Sequence, residues 1–218
     1  MRVLVIGRSG GIAGAVADGI RAAGGTVVLA GRNQDEHVDL TDEGSIAALA
    51  ERVGNVDHVV STASARARGT AADLDRDAVR ASFDVKVIGS ILLARHFAPR
   101  LPRTGSFVFL SGASARRVVP GMLAVGATNA AVDAVTRSLA VELAPIRVNA
   151  VSPGTVDTGA YDALGAERKA ALFASREATS PAGRVGRADE IAGAVLFLLT
   201  NGFTTGVTLG VDGGEVLV

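Results

Sequence analysis

The chain predicts an α/β fold: a doubly wound parallel sheet in three αβα layers, forming a single domain. Short β-branched runs alternate with longer helical patterns from end to end, and such alternation builds βαβ units. The runs are apolar almost throughout, as strands covered on both faces must be. The length of 218 residues, with 48% hydrophobic content, suits one sizeable core, since domains cluster near about 100–200 residues.

The first strand is "RVLVI" (2–6). "MRVLVIG" superficially resembles the start of a signal peptide, but the apolar run is short and ends at Gly7. Further strands are expected at 26–30, 57–61, 106–111, 146–151 and 206–211, with helices at 11–23, 42–53, 76–100, 121–144 and 188–199. Right-handed crossovers then place a ligand crevice at the carboxyl ends of the strands. Two stretches look irregular. The link 31–42 is too short for a crossover helix, and 155–186 is polar, alanine-rich and only partly helical, long enough for a substrate lid.

Composition narrows the function. The 22 basic residues balance 22 acidic ones, leaving no electrostatic footprint for nucleic acid or an anionic membrane, so the expected partner is a small molecule. Zero cysteines exclude thiolate catalysis and cysteine zinc sites, and His37, His58 and His96 are too scattered to predict a metal. No segment approaches the ~20 apolar residues of a spanning helix, and the chain reads as cytoplasmic.

Gly7, Gly10, Gly11 and Gly14 fall between the first strand and the first helix. Glycines there permit a tight turn and close approach of a pyrophosphate to the helix N-terminus, the dinucleotide site of a Rossmann-like fold. A carboxylate just past the second strand would bind the ribose 2′-OH of NAD, but Gly31 and Arg32 stand there. NADPH is therefore the expected cofactor, with Arg32, and secondarily Arg8 within the glycine turn, receiving the 2′-phosphate.

These motifs resemble those of the short-chain dehydrogenase/reductase family over nearly the whole chain. The family's G-x-x-x-G-x-G turn corresponds to "GRSGGIA", with Ala13 in the third glycine's place. The resemblance assigns Gly7, Arg8, Ser9, Gly11 and Ile12 to the cofactor. It likewise assigns Asp39 and Leu40, matching the adenine-contacting D-V pair. "STAS" replaces the N-N-A-G loop, bringing in Thr62, Ala63 and Ser64. The nicotinamide-side motif is intact as "PGTVDT", giving Pro153, Gly154, Val156 and Thr158, and the terminal "VDGG" also matches. Family members pair their long helices between subunits, so the resemblance implies a homodimer or homotetramer.

The catalytic positions depart from the pattern. Anchored on "TRSLAVEL", the family's tyrosine falls on Val125 and its lysine on Asn129; its serine falls on Gly112 and its asparagine on Lys86. Lysine and asparagine have exchanged places. Since those helices pack side by side in the family fold, an ammonium from position 86 would enter the pocket that position 129 fills, with Asn129 orienting it. Lys86 is then expected to bind the cofactor ribose or supply a proton, its pKa lowered by burial. With 20 arginines and only two lysines, retention of one here points to a need for a point charge. Ser111, Ser114 and Thr128 are the further candidates to touch a substrate carbonyl. Tyr161, the single tyrosine, lies where it would swing over the substrate. Arg116 and Arg117, at the mouth of the crevice, read as a solvated pair, with binding of an anionic substrate as the alternative.

The leading expectation is an NADPH-dependent oxidoreductase acting on a carbonyl or activated double bond through a non-standard proton donor. A catalytically inactive NADP(H)-binding homologue and a non-redox enzyme on the same fold remain alternatives.

Overall fold

In the computed structural model, which describes residues 1–218, seven parallel strands form one sheet. The strands are β1 (Arg2–Ile6), β2 (Thr26–Gly31), β3 (Glu36–His37), β4 (His58–Ser61), β5 (Ser106–Leu110), β6 (Arg147–Pro153) and β9 (Thr208–Val211), in the order β3-β2-β1-β4-β5-β6-β9. Two further short strands, β7 (Val156–Asp157) and β8 (Gly186–Arg187), pair outside it. The order reverses between β1 and β4, so the crevice opens beyond Ile6 and Ser61, which are register partners.

Helices α1 (Gly11–Ala22) and α7 (Ala188–Thr200) cover one face; α2 (Glu43–Val53), α4 (Gly89–Phe97) and α5 (Leu123–Glu142) cover the other. Two buried clusters follow. Val3, Val5, Val16, Ile20, Val108, Ile191 and Leu198 pack on the first side; Leu4, Ile6, Ile46, Leu49, Leu93, Phe97, Phe107 and Phe109 pack on the second. Consecutive residues of β1 thus serve opposite cores, which is why the strand is apolar without a break. Each such side chain contributes about 1.5–3 kcal/mol by leaving water. No helix is long and apolar enough to cross a membrane.

The two irregular stretches take defined form, and one expectation needs correction. The link 31–42 contains the edge strand β3, paired to β2 through Ala30 and Gly31. The stretch 155–186 is partly helical, as expected: β7 and β8 bracket α6 (Ala166–Thr179), which has no buried residue. Lys169 anchors α6 through ion pairs with Asp157 at 2.9 Å and Asp162 at 2.8 Å. Finally, the helix expected at 76–100 is not continuous. It comprises α3 (Arg76–Phe83), a π-helical turn at Asp84–Ile88, α4 and a closing 3-10 turn. Single π turns inside helices are frequent at functional sites, and Lys86 sits at the centre of this one.

Candidate active site

A cavity of about 350 Å³ opens at the carboxyl ends of β4, β5 and β6. Lys86, Asn129, Ser111, Ser114 and Tyr161 all line it. On the cofactor side its wall includes Ile12, Thr62, Ala63, Ser64, Pro153, Gly154, Val156 and Thr158.

Lys86 and Asn129 meet across two helices. The ammonium donates to Asn129 Oδ1 and, at 3.1 Å, to the carbonyl oxygen of Ser111. Asn129 Nδ2 donates to Ser114 Oγ at 2.8 Å, which fixes the amide with its oxygen toward the lysine. An ammonium has three N–H donors; two are engaged, leaving one for the cavity that Lys86 lines. Burial, with a smaller push from the Arg66 guanidinium, lowers the Lys86 pKa to about 7, while Asp133 on α5 opposes the shift.

Gly112 is what makes room for this arrangement. A Cβ there would lie 2.6 Å from Asn129 Nδ2, closer than any real contact, so a side chain at 112 and the present amide of Asn129 exclude each other.

The hydroxyl candidates separate. Ser114 meets the cavity and the Asn129 amide. Ser111 presents its carbonyl to Lys86, while its hydroxyl donates to the Asn129 carbonyl at 3.1 Å. Thr128 is a correction: it is 1% exposed and its hydroxyl bonds back to Ala124 and Val125 of its own helix, so it offers nothing to a substrate. Tyr161 lines the cavity, its ring edge-on to Phe173 at 5.8 Å with the Arg68 guanidinium over its face. The arginine pair splits. Arg116 bonds Ser152 and approaches Asp212, whereas Arg117 turns inward to buried Glu215 at 3.8 Å.

The glycine turn has the features a dinucleotide requires. A Cβ on Gly7 would fall 2.2 Å from Thr62 Oγ1, and one on Gly14 would fall 2.8 Å from the Ser9 carbonyl oxygen. Gly11 has φ +59° and passes 3.1 Å, measured from a virtual Cβ, under the Thr158 carbonyl. The N-termini of α2 and α3 are capped by Asp42 and Asp75, but α1 has no side-chain cap and no acid in its first turn. Its free N–H groups and dipole therefore face the crevice uncancelled.

Arg8 and Arg32 are exposed, and neither side chain forms an ion pair or hydrogen bond; Arg32 is tied only through its carbonyl, to His37. Gly31 lies so near Gly7 that a Cβ would be 2.8 Å from its carbonyl oxygen. Asp39 folds on Thr41, whose backbone N–H and hydroxyl hold the carboxyl below its usual pKa. Leu40 is buried in the core, so its side chain is not a cofactor surface.

Arg66, Arg68, Leu172, Arg176 and Glu215 also line the cavity, and sequence reasoning passed over all five. The run "ARARG" directly after "STAS" was the available signal for two of them.

A family profile described as enoyl-(acyl carrier protein) reductase matches residues 6–215. L-xylulose reductase from Homo sapiens is 31% identical over 235 residues, covering 98% of this chain and 95% of that protein. An uncharacterized oxidoreductase from Methylorubrum extorquens is 32% identical over 209 residues, covering 93% and 82%. The crystal structure of a small-chain dehydrogenase in complex with NADPH matches with a TM-score of 0.95 at 36% identity, covering 100% of this chain and 99% of that one. The chain belongs to the short-chain dehydrogenase/reductase family of NAD(P)H-using oxidoreductases.

Proposed function

We propose that this protein is an NADPH-dependent oxidoreductase that reduces a carbonyl or activated double bond of a small molecule, with Lys86 as proton donor and Asn129 as the group that orients it. The observation carrying the reading is the buried ammonium of Lys86 at the cavity wall, bonded to Asn129 and to the Ser111 carbonyl. At the places where the family resemblance expects tyrosine and serine stand Val125 and Gly112, and neither offers a proton.

The residues present fit the cofactor. Gly7, Ser9, Gly11 and Ile12 with the first turn of α1 would hold the pyrophosphate, Arg32 and Arg8 the 2′-phosphate, and Asp39 with the Leu40 backbone the adenine. Thr62, Ala63 and Ser64 would flank the ribose, and Pro153, Gly154, Val156 and Thr158 the nicotinamide. The unpaired Arg32, where a carboxylate would serve NAD, supports NADPH over NADH. A relative of known structure binds NADPH, which supports the same choice.

When bound, the reduced nicotinamide supplies the hydride. The chain supplies the rest. Its third Lys86 N–H hydrogen-bonds the substrate oxygen and gives up the proton as negative charge develops there, while Asn129 and Ser111 keep the nitrogen in place. A pKa of about 7 matches that task, because an unshifted lysine would release its proton too reluctantly. Ser114 holds the Asn129 amide, and Tyr161 closes the far side of the cavity beneath α6, which acts as the lid. The same reading includes a homodimer or homotetramer, since Ile88, Ile91, Leu123 and Val141 leave apolar surface on the long helices; light scattering that finds only monomer counts against that part.

The test is steady-state oxidation of NADPH with a panel of ketones, quinones and enones, preceded by a fluorescence titration of NADPH. Saturable binding and turnover with members of the panel are expected; failure to bind NADPH overturns the reading.

A further inference from the structure

Four guanidiniums line the cavity around Lys86, and three have no partner. Arg66 and Arg68 come from the loop after β4, and Arg176 projects from α6 one turn beyond Leu172. None of the three forms an ion pair or donates a side-chain hydrogen bond. The Arg68 guanidinium lies over the Tyr161 ring, and Arg176 Nε is buried without any acceptor. Some exposed arginines elsewhere, such as Arg103, Arg137 and Arg168, are also unpaired; what sets these three apart is that they line one cavity. Glu215 is the one carboxylate on the wall, and it is already engaged by the Thr155 N–H, the Thr155 hydroxyl and Arg117.

A buried guanidinium N–H without an acceptor is destabilising unless something supplies one. Positive charges on the wall of a concave site also reinforce each other's field. The planar fork of arginine matches the oxygens of a carboxylate or phosphate. In the reading proposed above the cofactor's own phosphates fall to the glycine turn and to Arg8 and Arg32, and neither arginine lines this cavity. From this we infer that the substrate is an anionic oxo compound. Its carboxylate or phosphate is received by Arg176 together with Arg66 and Arg68, while its carbonyl faces Lys86. This rests on the reductase reading of the same site and names its substrate class. Leu172 and Met122 add apolar lining to the same cavity.

The test measures binding rather than turnover. The full-length protein, with and without NADP+, is titrated calorimetrically with two matched pairs: 2-oxobutanoate against its methyl ester, and dihydroxyacetone phosphate against dihydroxyacetone. At least one charged member is expected to bind about tenfold or more tighter than its neutral partner, and the pair with the larger ratio names the anionic group. In Arg176→Gln, and separately in the double variant Arg66→Gln/Arg68→Gln, that ratio is expected to shrink to about threefold or less. Equal binding within both pairs overturns the inference, as does a ratio that survives in the variants. Should Arg176→Gln fail to fold, the double variant decides, because Arg66 and Arg68 are exposed loop residues. Oxidation of NADPH by neutral ketones without any preference for charge would sink this inference alone. Absence of all turnover alongside selective anion binding would sink the reductase reading alone.

Discussion

Lys86 on the π-helical turn and Asn129 on α5 form a buried ammonium–amide bond, in positions where the family resemblance expects the same two residue types reversed. The reversal keeps one amine and one amide in the pocket but delivers the charge from the neighbouring helix. Three further features fit it: a π turn beneath the lysine, a glycine that clears space for the amide, and Ser114, which pins the amide's other end.

Restoring the family's serine at position 112 should therefore harm this protein. Gly112→Ser puts a Cβ 2.6 Å from Asn129 Nδ2, so the amide must move away from Lys86. Overpacking of this kind costs about 1–3 kcal/mol, which denaturant unfolding measures. Turnover should fall by about tenfold or more with it. An active, equally stable variant would show that the Asn129 position is not required.

Lys86 should leave a signature in stability. Its pKa is lowered on folding from 10.5 to about 7, so between those values the unfolded chain binds a proton that the native chain does not. Its contribution to stability therefore rises as pH climbs from about 7 toward 10 and is flat below about 7. The difference in unfolding free energy between the native protein and Lys86→Met isolates this from other groups, and should grow in favour of the native protein across that window. A difference independent of pH would mean that the amine is not desolvated.

Cofactor choice should turn on Arg32. Arg32→Glu is expected to weaken NADPH binding by about tenfold or more while leaving NADH binding unchanged or better, because the 2′-phosphate loses a charge-assisted contact. Arg8→Gln should have a smaller effect in the same direction. Fluorescence titrations with both nucleotides check this, and an unaltered NADPH preference in Arg32→Glu would contradict it.

The glycine turn offers a conformational check. In Gly7→Ala the new methyl collides with Thr62 Oγ1, which itself bonds the Ile6 carbonyl at 3.1 Å. Loss of NADPH affinity together with a lower melting temperature is expected; a variant indistinguishable from the native protein would show that the Thr62 loop yields without consequence.

Much of the fold was legible because a strand buried on both faces reads as an unbroken apolar run, as "RVLVI" and "FVFL" do. Short elements were not. β3, β7 and β8 are two residues each, set by the longer strands and loops around them rather than by any local pattern. The π turn was equally hidden, since one residue added to a helical turn barely disturbs the hydrophobic period of 76–100. In the site, the meeting of Lys86 and Asn129 could be anticipated from the two aligned helices. The bond of the Ser111 hydroxyl to the α5 backbone and the inward turn of Arg117 could not, because each depends on a rotamer chosen by three-dimensional neighbours. Arg176 was invisible for a related reason: only the placement of α6 over the cavity distinguishes it from other helix-surface arginines.

The pH dependence of kcat for reduction, compared between the native protein and Lys86→Arg, tests the central claim most directly. Arginine keeps the positive charge but does not release a proton near neutrality. The native rate should fall as pH rises through about 7, following loss of the Lys86 proton, and in Lys86→Arg that limb should disappear along with a drop in kcat of about 100-fold or more. A limb near 7 that persists at full amplitude and rate in the variant would place the proton donor elsewhere.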